Sequence, residues 1–174
     1  MNYVINHYCR QIGLEFDRDG EIARRGAICR PLLDELNGME FYHQSGPKSL
    51  GREWVETQVY PMLERYGLSL KDKLRTFYEH AAFQIFRIIN ANPSSAGNGK
   101  LLITGGGAFN KFLVERIEAL CPCQIVIPGR QIIEYKEALI FAFLGALYMA
   151  DEPGCLASVT GASMDNIGGM LFKV

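Results

Sequence analysis

Apolar positions recur at spacings of three and four through the first half of the chain and give way to short continuous runs further on. Residues 3–13 place Val4, Ile5, Tyr8, Cys9 and Ile12 on one helical face, closed by Gly13. After the turn Asp17-Arg18-Asp19-Gly20, the positions Ile22, Ala23, Ile28, Leu32, Leu33 and Leu36 continue the helical period. Pro31 inside this stretch predicts two short helices or one kinked helix, stopped at Asn37-Gly38. Gly46 to Glu53 reads as a turn into a helix, with Ser49 as a candidate cap and Glu53 near the positive end. Leu70, Leu74, Phe77, Ala81, Ile85 and Ile88 predict a long helix from a cap at Ser69 to Asn90.

Residues 92–99, rich in Pro, Ser, Gly and Asn, predict a loop. A strand over 100–104, a helix over 109–120, a strand over 124–128 and a helix over 136–150 then alternate as in an α/β fold. A loop holding Val159-Thr160-Gly161-Ala162 leads to Met170-Leu171-Phe172, which reads as a last strand. About three strands against four or five helices make a narrow sheet, whose apolar edges need cover. The expectation is one domain over 1–174 that lacks part of a larger sheet or pairs with something else.

The most informative stretch is Leu101-Leu102-Ile103-Thr104-Gly105-Gly106-Gly107-Ala108-Phe109-Asn110. A strand ends in three glycines and a helix follows. Glycines accept φ > 0 and let a flat ligand approach the backbone, and the helix behind them offers free N–H groups and a positive dipole end. A nucleotide is the natural guest, although such a corner also serves tight packing alone.

Composition narrows the alternatives. The 174 residues are 48% hydrophobic and 21% charged with net charge −1, so no basic stripe argues for nucleic acid or a polybasic membrane contact. The apolar run Ala138–Ala150 is too short to span a bilayer, and polar Asn2, Asn6 and His7 interrupt any N-terminal signal core. Five cysteines, an odd number, fit reduced thiols and a cytoplasmic setting. Cys121-Pro122-Cys123 has no second paired spacing, and His7, His43 and His80 are scattered, so no metal site is expected.

Known nucleotide motifs fit the glycine turn poorly. A dinucleotide turn wants a third glycine where Asn110 stands and an acid after the second strand, which ends in Gly129-Arg130. A methyltransferase site lacks the same acid, and a Walker loop wants Gly-Lys-Ser/Thr. What remains is a glycine turn packed against a purine and its ribose.

Thr104-Gly105-Gly106-Gly107-Ala108-Phe109-Asn110 resembles the adenosine segment of actin-like sugar kinases. Taken with Asp19-Gly20-Glu21-Ile22-Ala23, Pro47-Lys48-Ser49-Leu50-Gly51-Arg52-Glu53, Tyr135-Lys136-Glu137-Ala138 and Val159-Thr160-Gly161-Ala162, it makes the chain similar to the C-terminal half of anhydro-N-acetylmuramic acid kinases. The resemblance covers nearly the whole chain. It implies a partial actin-like, ribonuclease H-like kinase fold. It also implies ATP and Mg²⁺ as cofactors and phosphorylation of anhydro-N-acetylmuramic acid while water opens the anhydro bridge, in cytoplasmic recycling of cell-wall sugar.

By the same resemblance, Gly105, Gly106, Gly107 and Asn110 line the adenosine side. Glu137 is a sugar-side candidate, although it also fits an exposed first-turn carboxylate. Lys48 and Arg52 are candidates for phosphates or a domain interface. The family's Gly-Thr-Ser-x-Asp-Gly phosphate turn and its aspartate base have no counterpart in these residues. The expectation is therefore a C-terminal half that is inactive alone, partnered by an N-terminal half and able to form a homo-oligomer. The alternative is an actin-like interaction module without catalysis.

Overall fold

The computed structural model describes residues 1–45, 48–91 and 99–172. These fall into two compact units, one built from 1–44 and 50–128, the other from 45–49 and 129–174. The expected turn at Gly46-Pro47 and most of the loop expected over 92–99 lie outside the described residues.

The first unit is wrapped around one long helix. Helix α1 (Asn2–Arg10) is followed by a 3₁₀ turn (Arg18–Gly20), α2 (Glu21–Arg24), α3 (Arg30–Asn37) and α4 (Glu40–His43). Pro31 sits in the first turn of α3, where its missing N–H leaves no bond unmade, so the chain forms two short helices with no kink. Next come α5 (Arg52–Trp54), a π turn (Val55–Val59) and α6 (Tyr60–Arg65). Gly51 occupies the N-cap of α5 and no side chain caps it, so the helix starts two residues beyond the reach expected of Ser49.

Helix α7 (Leu70–Asn90) begins where expected, with the Ser69 hydroxyl accepting from the Asp72 N–H. It buries more than the face its period suggested. Leu74 and Phe77 are buried as expected, but so are Thr76, Tyr78 and Ala82, while Ile88 points outward. The reason is that α7 is contacted from several sides, with α2, α3 and α8 (Lys111–Leu120) all against it. Val4, Ile5, Tyr8 and Cys9 of α1, Leu32 and Leu36 of α3, and Phe112, Leu113 and Ile117 of α8 complete that core.

Strands β1 (Lys100–Leu102) and β2 (Gln124–Val126) pair in parallel, Lys100 opposite Gln124 and Leu102 opposite Val126, with α8 as the crossover. This is the α/β unit expected from the sequence. Each strand is shorter than its apolar run: β1 ends at Leu102 and β2 at Val126, with one further bond from the Ile103 N–H to the Val126 carbonyl.

The second unit holds α9 (Arg130–Met149) and α10 (Ala157–Thr160). Helix α9 starts six residues before the expected 136. Gly129 is its N-cap, and Arg130 Nε donates to Glu134 Oε1 at 2.6 Å across the first turn. Glu137 therefore lies in the second turn, not the first. Among the described residues, Met170-Leu171-Phe172 forms no strand. A strand needs a partner edge, and the pairing in this region is a single antiparallel bridge between Cys155 and Asn166. Two strands, not three, make the sheet among the described residues. No helix is long and apolar enough to cross a membrane among the described residues.

Candidate functional site

The glycine turn does three different things at its three positions. Gly105 alone takes a left-handed φ, +76°, which a side chain would strain. Gly106 and Gly107 matter for close approach: a Cβ on Gly106 would sit 3.1 Å from Asn2 Nδ2, and one on Gly107 would sit 3.2 Å from Met1 Cε. The start of α1 thus lies directly over the turn. A 3₁₀ turn (Gly106–Phe109) follows, so α8 opens at Lys111, two residues later than the apolar period suggested.

Asn110 joins the turn to its neighbours. Its Oδ1 accepts from the Leu113 N–H at 3.0 Å and caps α8. Its Nδ2 donates to Tyr78 Oη at 2.6 Å and to the Asp17 carbonyl at 3.3 Å. Both polar ends of the side chain are therefore bonded within the protein. Tyr78 is fully buried on α7, and that burial pushes its phenol well above the ordinary range, so the ring stays neutral.

The 17–23 corner is held with equal economy. Asp17, 2% exposed, accepts from the Ile22 N–H at 2.9 Å and from the Ala23 N–H at 3.2 Å, which satisfies two first-turn donors of α2. Gly20 takes φ +74°, and any Cβ there would collide with Phe112 Cβ and lie 2.7 Å from Asn110 Oδ1. This glycine lets the corner close onto the start of α8. Arg24 then reaches Glu115 in a two-pronged pair at 2.7 and 2.8 Å.

These pieces enclose a cavity of about 420 Å³. Asn2, Ile5 and Asn6 of α1 form one wall and Phe16, Asp17 and Asp19 another, with Tyr78, Gly106, Phe109 and Asn110 closing it. A second hollow of about 670 Å³ lies on the other flank of the turn, against Leu101–Gly107, Ile85, Leu113 and Ile117. The first has the mixture usual for a small-molecule site, apolar rings with a few convergent polar groups, and its volume lies in the ordinary range of roughly 300–1,000 Å³.

The residues expected to bind adenosine meet at this cavity only in part. Gly106 and Asn110 line it directly, while Gly105 and Gly107 line the second hollow. Arg52 is exposed, donates to Glu56 Oε1 at 2.7 Å and holds its guanidinium 5.4 Å from the Tyr3 ring centre. It is not among the cavity's lining residues. Lys48 and Glu137 are both exposed and belong to the second unit. Among the described residues, no group of three or more His, Cys, Asp or Glu is placed to hold a metal ion.

Several lining residues were not singled out as ligand candidates from the sequence. Asn2 and Asn6 are spaced by four, which was a visible signal: two carboxamides on one helix face, next to the apolar face of α1. Asp19 lay in the turn Asp17–Gly20 and in the stretch Asp19–Ala23 that carries the resemblance, with no binding role attached. Phe16, Tyr78 and Phe109 carried no sequence signal separating them from core aromatics.

The family model described as anhydro-N-acetylmuramic acid kinase matches residues 1–174, the whole of the chain.

Proposed function

The chain belongs to the anhydro-N-acetylmuramic acid kinase family, and on that premise we propose that it supplies the adenosine wall of an ATP-dependent amino-sugar kinase. In this reading ATP phosphorylates anhydro-N-acetylmuramic acid while water opens the anhydro bridge, and the product returns to cytoplasmic metabolism. The observation that carries it is the cavity bounded by the glycine turn. There Gly106 presents bare backbone beside the Asn2 carboxamide, in a lining shared with Asn6 and the exposed rings of Phe16 and Phe109.

The residues divide the work. Gly105 turns the chain, Gly106 leaves room for the base, and Asn110 fixes the turn to α7, to α8 and to the 17–23 corner. Glu137, Lys48 and Arg52 are the sugar- and phosphate-side candidates of the same reading. The five cysteines are free thiols, which suits a reducing compartment. No catalytic base is assigned within residues 1–174. Mg²⁺ would accompany the phosphates of ATP; among the described residues no group of three or more His, Cys, Asp or Glu is placed to hold it. Phosphoryl transfer rests on positioned phosphates, and these residues contribute to that by holding the nucleoside end.

Calorimetric titration of ATP into the protein and into Gly106→Val tests the reading. The first added carbon meets only the end of a flexible amide, at 3.1 Å from Asn2 Nδ2, so the fold should survive while the branch fills the cavity. The expected outcome is at least a tenfold loss of ATP affinity with little change in melting temperature. Unchanged affinity in a folded Gly106→Val protein refutes the adenosine assignment.

A further inference from the structure

Building on the adenosine reading above, we propose that Asp19 binds the ribose hydroxyls and makes the site select ribonucleotides over 2′-deoxyribonucleotides. Two carboxylates line the cavity, and of the two only Asp19 has an oxygen that accepts no hydrogen bond among the described residues. Asp17 is buried, and both its oxygens accept backbone N–H groups of α2. Asp19 meets Lys111 Nζ at 3.3 Å through Oδ2, and its Oδ1 accepts no hydrogen bond among the described residues.

The backbone holds Asp19 in this position. Its φ is +55°, and Gly20 after it is also left-handed at +74°. Asp and Asn tolerate that region better than most residues. The tight corner is anchored on one side by Asp17 to α2 and on the other by Asn110, which donates to the Asp17 carbonyl. The carboxylate is thus placed on the cavity wall by a rigid turn, not by a free side chain.

The chemistry of the remaining walls assigns the ends of the ligand. A carboxylate only accepts, and a vicinal diol offers two O–H donors, the pairing that ribose-binding acids use. The edge of a base mixes donors and acceptors, which suits the carboxamides of Asn2 and Asn6. Its flat faces suit the rings of Phe16 and Phe109, since base stacking on aromatics is tolerant of sequence.

The test is calorimetric titration of ATP and 2′-deoxy-ATP into the full chain, Asp19→Asn and Asp19→Gly. Both substitutions accept φ > 0, so neither should unfold the corner, and melting curves check this. The wild-type protein is expected to bind ATP about ten- to a hundredfold more tightly than 2′-deoxy-ATP, the usual worth of a hydrogen bond to a charged group. In Asp19→Gly that ratio should fall toward one, and in Asp19→Asn, which keeps an uncharged acceptor, it should fall part of the way. A merely structural Asp19–Lys111 pair would leave the ratio unmoved. An unchanged ratio, or equal binding of the two nucleotides by the wild-type protein, overturns the ribose assignment. If Gly106→Val still abolishes ATP binding in that case, the adenosine reading stands without it. If no nucleotide binds, or Gly106→Val is silent, both fall.

Discussion

Replacing Gly20 by alanine separates two costs that a glycine can hide. At φ +74° an alanine pays the left-handed penalty, about 1–2 kcal/mol. It also forces its Cβ into Phe112 Cβ, with Asn110 Oδ1 only 2.7 Å away. The first neighbour is attached directly to the α8 backbone and cannot swing aside. Overpacking of this kind costs about 1–3 kcal/mol, so the total should be about 2–5 kcal/mol. Gly13 is the internal control, because its φ is +79° but nothing lies within 4 Å of a Cβ built there. Gly13→Ala should therefore cost only about 1–2 kcal/mol. Urea unfolding of the two variants against the wild-type chain reads the difference, with thermal midpoints expected to move by about 2–4 °C per kcal/mol. Because the second close neighbour is Asn110, which lines the cavity, Gly20→Ala should also weaken ATP binding, and Gly13→Ala should not. If the two alanines destabilise equally, the corner does not close on α8 as described and the cavity loses one wall.

Asn110→Ala should cost about 1–2 kcal/mol for the lost cap, and more because the Tyr78 hydroxyl loses its partner at 2.6 Å; Tyr78→Phe introduced alongside it should recover part of that extra loss in urea unfolding. His80 is buried between Asn37 Oδ1 at 2.7 Å and Tyr42 Oη at 3.0 Å, and burial lowers its pKa from 6.5 to about 4. Its folded-state pKa lies below the unfolded one, so its contribution is intact above pH 6.5 and is lost as the pH falls toward 4. About 3 kcal/mol of stability should disappear across that window, and His80→Gln should flatten the pH dependence measured there. Residues 1–174 alone are expected to bind ATP without phosphorylating the sugar; turnover above a no-enzyme control that survives Gly106→Val would refute the site. Helix α9 and the following segment expose Phe141, Phe143, Met149 and Phe172, each more than 60%, so the chain should sediment as more than a monomer at micromolar concentration. A monodisperse monomer would count against self-association.

Local patterning alone accounts for much of the molecule. Helices α1 and α7, the Ser69 cap, the strand–glycine–helix corner and the βαβ alternation are all written in spacings of a few residues, and the order of motifs was enough to point to the family. The period of a helix face is a property of adjacent turns, so it can be read without knowing what packs against it. Tertiary structure decided what depends on distant partners. It made α7 buried on several sides and left Met170–Phe172 without a strand to pair with. It also gave each glycine of the turn a separate role, spent Asn110 on three internal bonds, and brought Asp19 to the same cavity as Gly106 across nearly ninety residues of chain. Those facts arise where segments far apart in sequence compete for the same space and the same hydrogen bonds, and no local pattern records the outcome of that competition.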